Sequence, residues 1–236
     1  MIGARRDIPE MMDDPGVDDG KVVRALHELS LINRWLGGFR VSRLGVGRLM
    51  KELPSDRPVS VLDVGAGGSD LLMALAPLGR RFDVTSLDIN YQSCVRATER
   101  RQRVTAVNGS ALTLPFRDRS FDIAHASLFL HHCTDEEAQK LLADLSRVAR
   151  CGVVINDLHR HPMALAGIIV LTGVLSRSTI VRHDAPASVH RAFLRSEIDA
   201  LLPAGLRAST SISWHWAFRW CVSIALTAGR DHGSSV

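Results

Sequence analysis

The sequence predicts an α/β fold in which helices cover both faces of a largely parallel sheet. From residue 59 onward, short apolar stretches with strand character alternate with stretches of helical periodicity. A glycine cluster, Gly65 to Gly68, follows the first of these stretches, and an acidic residue, Asp88, ends the second. The alternation is typical of parallel strands joined by crossover helices.

The predicted strands are five internal segments and two closing segments: Val59–Val64, Phe82–Asp88, Val104–Asn108, Phe121–Ser127, Gly152–Asp157, Leu206–Ser213 and Ala217–Ala225. Between and after them, helical periodicity predicts four helices: Ser69–Leu78, Tyr91–Arg103, Thr134–Arg150 and Arg195–Leu202. Thr134 is expected to cap its helix, because three acidic residues follow it at the positive end of the helix dipole.

Two further regions flank or interrupt this alternation. Residues 1–57 are interpreted as a loose acidic arm of 20 residues followed by one or two amphipathic helices over Lys21–Leu53, and residues 58–236 as the main domain. Within that domain, residues 158–193 form an insert after the fifth strand. Its stretch "HPMALAGIIVLTGVL" is apolar nearly all round, which predicts a helix that is buried between other elements or lines an apolar pocket.

Composition limits the class of protein. A chain of 236 residues with 46% hydrophobic residues can bury one ordinary globular core. The longest apolar run, 163–175, is shorter than the roughly 20 residues that a membrane-spanning helix needs, and the acidic amino terminus lacks a signal-peptide core. We therefore expect a cytoplasmic protein without stable membrane insertion.

Cysteine spacing and charge exclude other classes. The four cysteines are far apart and form no CxxC pair, which argues against a zinc knuckle and against a disulfide framework. The formal net charge is only +4, and the one tight basic cluster, Arg100, Arg101 and Arg103, is interpreted as a solvated helix end. Nucleic acid is not an expected partner.

The glycine turn predicts the kind of cofactor. A dinucleotide fingerprint would require glycine at 65, 67 and 70, but position 70 is Asp, whose carboxylate would repel a pyrophosphate. Asp63 adds a second negative charge, so the turn suits a ligand with a cationic end, such as the amino group of S-adenosylmethionine. Asp88 is placed to accept the hydroxyl groups of a ribose.

With these motifs in order, the sequence resembles the class I S-adenosylmethionine-dependent methyltransferases over about residues 58–157. "VLDVGAGGSDLL" resembles their first motif, "SLDIN" their second-strand acid, and "VNGSALTLPFRDRSFDIAHASLFLHH" the adenine-binding segment. The resemblance implies a Rossmann-like seven-stranded sheet. The resemblance also implies which residues contact the cofactor. In chain order they run from its methionine portion through the ribose to the adenine and the far wall of the cofactor site: Asp63, Gly65, Ala66, Gly67, Gly68, Asp88, Ile89, Ser110, Ala111, Ser127 and Leu128. Many relatives have Asp where this chain has Ser110.

Methyl transfer to a phenol or alcohol needs a base, and histidine is the usual one. His131 and His132 follow the fourth strand, and His159 and His161 follow the fifth, where open α/β sheets bind ligands. We predict His159 as the catalytic base, oriented by Asp157, with His132 as the second candidate.

No metal is expected at this edge of the sheet. A magnesium site would need three converging oxygen ligands. Asn156 and Asp157 are the two that the sequence offers there.

The acceptor is predicted from what surrounds this site. The segment after the fourth strand reads "ASLFLHH" and lacks the Asn- or Asp-Pro-Pro-aromatic motif of amine and nucleobase methylation. The apolar insert, together with Trp35 and Phe39, favours a hydrophobic small molecule. Two further segments, "DDPGVDDGKVVRALHELSLINRWLGG" and "RHDAPASVHRAF", resemble bacterial methyltransferases of polyketide, quinone and phenolic-lipid products.

The leading hypothesis is therefore O-methylation of a natural-product phenol or quinol, with S-adenosylmethionine as the methyl donor. C-methylation of a quinone-like ring and a non-catalytic cofactor-binding protein of the same fold are the alternatives. A homodimer is left open.

Overall fold

The computed structural model describes residues 3–14, 16–100 and 104–226. Its centre is a seven-stranded sheet in the order β3-β2-β1-β4-β5-β7-β6. Strands β1 to β5 are parallel, and β7 runs antiparallel to both of its neighbours. The strands are β1 Val59–Val64, β2 Phe82–Asp88, β3 Val104–Asn108, β4 Phe121–Ser127, β5 Ala149–Leu158, β6 Thr210–His215 and β7 Arg219–Ala225. The predicted α/β class and seven-stranded Rossmann-like sheet are confirmed.

Eight α-helices accompany the sheet within the described residues: α1 Asp19–Trp35, α2 Gly38–Leu49, α3 Leu71–Leu75, α4 Tyr91–Arg100, α5 Asp135–Val148, α6 Pro162–Leu175, α7 Thr179–Arg191 and α8 Arg195–Leu201. The predicted cap of α5 is confirmed, because the Thr134 hydroxyl accepts from the Glu137 amide and the Glu137 carboxylate accepts from the Thr134 amide. The last residues predicted for α4, 101–103, lie outside the described residues, and with them most of the basic cluster.

The sheet is covered on both faces, as predicted. On one face, α2 and α3 place Leu49 and Leu75 against Val61 and Ile123 of the central strands. On the other face, apolar side chains of α5 and α8 pack against β4, β5 and β7, and the buried residues of that core include Leu141, Leu145, Ile198, Ala124, Val153 and Val222. Burial on both faces explains why the central strands are almost continuously apolar.

Several predicted element boundaries differ from the observed ones. Helix α5 ends at Val148 and β5 begins at Ala149, earlier than predicted, because Ala149 pairs with Phe121 in the sheet. Helix α3 begins two residues later than predicted, because Ser69 has a left-handed φ of 54° that a right-handed helix excludes. A 3-10 segment, Ala204–Ser209, occupies the predicted start of β6, and β7 begins at Arg219 rather than at 217.

The amino-terminal arm is not loose, which corrects the prediction. Its short 3-10 helix, Met11–Asp13, packs on α7, where the Asp184 carboxylate accepts hydrogen bonds from the Met11 and Met12 amides. The Glu10 side chain is buried and accepts a hydrogen bond of 2.7 Å from the Ser188 hydroxyl. Polar contacts to a helix 170 residues away hold the arm, and local sequence patterns do not reveal such contacts.

The apolar helix of the insert is not buried between other elements, which is one of the two placements that the sequence predicts. In α6, Thr172 is the one buried residue, and several of the large apolar side chains are exposed. Among the described residues, no helix is long and apolar enough to cross a membrane.

Candidate active site

The loop after β1 is shaped by two glycines with left-handed backbone angles. Gly65 has a φ of 63° and Gly67 a φ of 48°, which residues with a Cβ rarely adopt. A Cβ on Gly65 would lie 2.2 Å from the Phe129 ring, so the Phe129 side chain covers this turn. At Gly67 the nearest atom to an added Cβ is a methyl of Leu26, 3.5 Å away, so α1 crosses the loop there.

Asp88 connects this glycine loop to the end of β2. One of its carboxylate oxygens accepts from the Gly67 amide at 2.7 Å, and the other accepts from the Asn90 amide at 2.9 Å. Burial raises the pKa of the carboxyl, against the effect of these two hydrogen bonds. The next residue, Ile89, is 78% exposed. A buried carboxylate followed by an exposed apolar side chain is an arrangement that fits a ribose and the flat base attached to it.

The remaining predicted cofactor residues follow β3 and β4. Ala111 is buried, and the Ser110 hydroxyl accepts from the Leu112 amide at 3.2 Å, which leaves the hydroxyl hydrogen of Ser110 available to a ligand. After β4, Leu128 has a φ of 54°, and the Ser127 hydroxyl accepts from the Asn156 amide group at 3.1 Å. These residues border the same carboxyl edge of the sheet as the glycine loop.

Asp63 belongs to a buried polar network that the sequence did not reveal. Its carboxylate lies 2.7 Å from His125 Nδ1, and His125 Nε2 lies 2.9 Å from the Ser42 hydroxyl of α2. The Asn156 amide group also donates to the Ser42 hydroxyl, at 2.9 Å. The histidine fixes the direction of the Asp63 carboxylate next to the glycine loop. His125 lies inside a strand, so only the pairing of β1 with β4 brings it beside Asp63.

Arg219 is a second functional candidate that the sequence did not reveal. It is buried at the start of β7, where its guanidinium donates to the Asn156 side-chain oxygen at 3.3 Å and to the Leu36 carbonyl at 3.2 Å. Burial lowers its pKa to about 10, which Asp157 partly offsets, so the side chain keeps its positive charge at neutral pH. It places a fixed positive charge next to the carboxyl ends of β4 and β5.

Helix α1 covers the site from the amino-terminal side. The Ser30 hydroxyl donates to the Asp70 carboxylate through a short hydrogen bond, and Leu26 of the same helix lies over Gly67. The predicted helical cap of residues 1–57 thus touches the glycine loop directly.

Asp157 pairs with His131 and not with His159, which corrects a prediction. Its carboxylate lies 2.6 Å from His131 Nδ1 and accepts from the His131 amide at 3.0 Å. Burial lowers the pKa of His131, but the charge and hydrogen bond of Asp157 and the nearby Glu10 outweigh burial and raise it to about 9. His131 is therefore a buried imidazolium with a structural role, and Asp157 is its counter-ion.

His159 lies among aromatic rings at the end of β5. Its ring centroid is 4.6 Å from that of Trp220 and 5.4 Å from that of His161. Its Nδ1 is buried and has no hydrogen-bond partner. Burial, followed by the charges of His161 and Arg160, lowers the pKa of His159, so its ring is neutral at neutral pH.

His132 has a different environment. Its Nδ1 lies 3.4 Å from an Asp13 carboxylate oxygen, and its Nε2 lies 3.8 Å from a Glu10 oxygen. The ring also stacks on Phe129, with centroids 6.0 Å apart, and Phe129 covers Gly65. Both ring nitrogens therefore face carboxylates of the amino-terminal arm.

Two sets of residues bear on metal binding. The Asn156 side-chain oxygen, the atom that a magnesium ion would bind, accepts from the Arg219 guanidinium, and the Asp157 carboxylate is paired with His131, so these two do not form the magnesium site considered from the sequence. Glu10, His131 and His132 do bring three ligand-type atoms within 4.8 Å of one another. Ion pairs account for that cluster, since His131 carries a positive charge beside the Glu10 carboxylate.

Comparison with known proteins finds a family match in the central part of the chain. Residues 61–152 match the family described as "Methyltransferase domain". The matched segment begins within β1 and extends into β5, so it contains the glycine loop, Asp88 and the segment after β4.

Two curated relatives each match less than half of this chain. The chain is 34% identical over 102 residues to an uncharacterised methyltransferase of Synechocystis, covering 42% of this chain and 47% of that protein. It is 32% identical over 117 residues to a demethylmenaquinone methyltransferase of Roseiflexus, covering 45% of this chain and 46% of that protein. The chain thus spans about half the length of the curated relatives that it matches.

Solved structures share the fold over most of the chain. The plantazolicin methyltransferase BpumL, in complex with a triazolic desmethylPZN analog and SAH, aligns with a TM-score of 0.65 at 14% identity, covering 88% of this chain and 91% of that one. An S-adenosylmethionine-dependent methyltransferase from Aquifex aeolicus aligns with a TM-score of 0.53 at 17% identity, covering 83% of this chain and 97% of that one. The methyltransferase fold therefore extends beyond residues 61–152.

Proposed function

We propose that the protein is an S-adenosylmethionine-dependent O-methyltransferase whose acceptor is a hydrophobic aromatic small molecule, a natural-product phenol or quinol. The observation that carries this proposal is the environment of His159. A neutral imidazole whose buried Nδ1 has no hydrogen-bond partner lies among aromatic side chains at the carboxyl end of β5, the edge where open α/β sheets bind ligands. We also retain a cytoplasmic location as a prediction.

The residues present fit the proposed cofactor. The glycine loop allows the methionine portion to approach the backbone beside the Asp63 carboxylate, Asp88 accepts the ribose hydroxyls, and Ile89 offers an apolar surface to the adenine. Ala66, Ser110, Ala111, Ser127 and Leu128 complete the proposed contacts. When bound, S-adenosylmethionine supplies a methyl group on a positively charged sulfur, and its departure as a thioether needs no further acid.

The chain itself supplies alignment and a base. His159 takes the proton of the acceptor hydroxyl on an imidazole nitrogen while the oxygen forms its bond to the methyl carbon. The half-buried rings of His161 and Phe218 provide an aromatic wall for a flat acceptor, and the buried Trp220 ring packs behind His159. Holding the acceptor in line and away from water contributes much of the rate acceleration in such displacements. The insert 158–193 is proposed to cover this acceptor.

The test compares two phenols, one of high pKa and one already ionised at neutral pH. We expect His159→Ala to lower turnover of the first by about 100- to 10,000-fold, because loss of a general base has that effect, and to change the second much less. Mass spectrometry with labelled methyl donor measures the product. His27→Ala, an exposed histidine on α1, is the matched control.

A small and equal loss on both phenols would contradict a basic role for His159. The same two substrates applied to His132→Ala then decide whether that residue is the base. Cofactor affinity is measured in parallel for each variant, because a base can be removed without changing it.

A second candidate is C-methylation of a quinone-like ring. The observation in its favour is that several relatives, among them that of Roseiflexus, are named demethylmenaquinone methyltransferases. NMR of the product distinguishes a new methyl ether from a new ring methyl group. Cofactor binding without any methyl transfer would instead favour the non-catalytic alternative.

A further inference from the structure

Helix α6 presents an apolar face to solvent. Its 14 residues contain no charged side chain, and Thr172, its one buried residue, donates its hydroxyl hydrogen to the Ile168 carbonyl. Met163, Val170 and Val174 are 67%, 65% and 76% exposed, respectively. At 100° per residue these three positions fall on one stripe of the helix. The stripe is not a chance exposure of single side chains, because no polar residue interrupts it.

Exposed tryptophans lie next to the beginning of this helix. His161, which caps α6, stacks on Phe218 with ring centroids 4.8 Å apart. The ring centroids of Phe218 and Trp216 are 6.2 Å apart. The Ala217 amide donates to the Leu36 carbonyl, which follows Trp35 at the end of α1. Trp35 and Trp216 are 84% and 67% exposed. The start of α6, the turn between β6 and β7, and the turn after α1 are therefore neighbours.

These three regions lie at the carboxyl edge of the parallel strands. Arg219, the first residue of β7, pairs with Leu158, the last residue of β5. The exposed apolar surface is thus on the same edge of the sheet as the proposed acceptor site.

The segments that build this surface carry only positive charges. Residues 29–50, 158–183 and 200–225 contain no Asp or Glu, whereas each contains two or more arginines. Arg34, Arg40 and Arg177 of these segments are exposed. An apolar helix face bordered by tryptophans and arginines combines the features that bind proteins to the surface of anionic bilayers.

We propose that the exposed face of α6, together with Trp35 and Trp216, binds the surface of an anionic lipid bilayer and turns the acceptor site toward it. Helix α6 is about 21 Å long, too short to span a hydrocarbon core of about 30 Å, so it lies in the interface. A second copy of the chain on this face is less favoured, because a symmetric contact would bring the same arginines together. The proposal deepens the proposed function, since a hydrophobic acceptor dissolves in the lipid phase.

Vesicle sedimentation without cofactor or acceptor tests the proposal. We expect the full chain to pellet with vesicles of phosphatidylcholine and phosphatidylglycerol, and to do so less with phosphatidylcholine alone or at high salt. Val170→Gln combined with Val174→Gln should weaken partitioning about tenfold or more, because two exposed apolar side chains no longer enter the interface. Met73→Gln, an exposed apolar position on α3, is the matched control and should bind like the wild type.

A thermal melt by circular dichroism confirms that each variant is folded. Failure of the wild type to pellet with anionic vesicles overturns the proposal. The proposal is also overturned if analytical ultracentrifugation shows that the wild type is a dimer and the double variant a monomer, and neither binds vesicles. In that case α6 is an interface between copies of the chain. The sedimentation assay contains no acceptor, so it does not depend on methyl transfer. A protein that binds vesicles but transfers no methyl group would contradict the proposed function and not the membrane proposal.

Discussion

At the scale of single residues, Asp88 links the two loops of the proposed cofactor site. Its carboxylate holds the amides of Gly67 and Asn90, so the same group shapes the glycine loop and faces the proposed ribose. Asp63 is similarly held by His125. In both cases a buried carboxylate has its direction set by neighbours before any ligand arrives, which reduces the ordering cost of binding.

We predict that Asp88→Ala weakens binding of S-adenosylhomocysteine by about 1.5–3 kcal/mol, roughly 10- to 150-fold in Kd, because hydrogen bonds to a charged group are lost. Isothermal titration calorimetry measures the effect. Asp83→Ala, at the exposed opposite end of β2, should leave the Kd unchanged. Equal affinity of the wild type for NAD and for S-adenosylhomocysteine would contradict the cofactor assignment.

At the scale of elements, the amino-terminal arm is held by a buried charge cluster. Glu10 lies 3.7 Å from His131 Nε2 and accepts from the Ser188 hydroxyl, so it joins the arm to the segment after β4 and to α7. Burial raises the pKa of Glu10, but the nearby imidazolium of His131 and the charge of His132 outweigh burial and lower it to about 2. The arm therefore depends on a charge pair that forms only in the folded chain.

We expect Glu10→Gln to lower the free energy of unfolding by about 3 kcal/mol, because it leaves the buried His131 charge with one counter-ion fewer. Urea unfolding followed by circular dichroism measures the change. Glu136→Gln, an exposed carboxylate in the first turn of α5, should change stability by less than about 0.5 kcal/mol. Equal effects of the two substitutions would show that the cluster does not hold the arm.

At the scale of the whole molecule, buried ionisable groups determine how stability changes with pH. Asp122 is fully buried between Arg57 and Arg150, and these partners, with Ser60, outweigh burial and lower its pKa to about 2. Glu10 behaves in the same way, so both stabilise the fold above their unfolded pKa values and lose that effect as pH falls toward 2. His131 acts in the opposite direction, because its folded pKa of about 9 exceeds the unfolded value of 6.5.

We therefore predict a maximum of stability near pH 6.5. Below it, protonation of the carboxylates and of the histidines whose pKa burial lowers, such as His159, favours the unfolded chain. Between pH 6.5 and 9, the unfolded chain releases the His131 proton while the folded chain keeps it, so the free energy of unfolding should fall by about 3 kcal/mol. Urea unfolding at a series of pH values measures this decline, which His131→Gln should flatten and His27→Gln should not. A wild-type profile that is level from pH 6.5 to 9 would contradict the prediction.

Local sequence patterns were sufficient to predict the positions of the strands and of the motifs that follow them. Strands β1 to β4 begin and end at the predicted residues, because their apolar and β-branched residues have strand character and glycine, charged or amide residues lie close to their ends. The glycine loop and Asp88 could likewise be placed, since a turn with left-handed angles requires glycine and the strand end locates the acid.

Tertiary contacts alone decided the partners of the buried charges and the position of α6. Asp157 is two residues from His159 in the chain, yet it pairs with His131, because the segment after β4 places His131 beside the end of the neighbouring strand β5. The arm packs through Glu10 onto elements more than 100 residues away. The apolar composition of α6 predicted burial, yet the helix is exposed in the structure, since burial depends on what the rest of the fold places beside it.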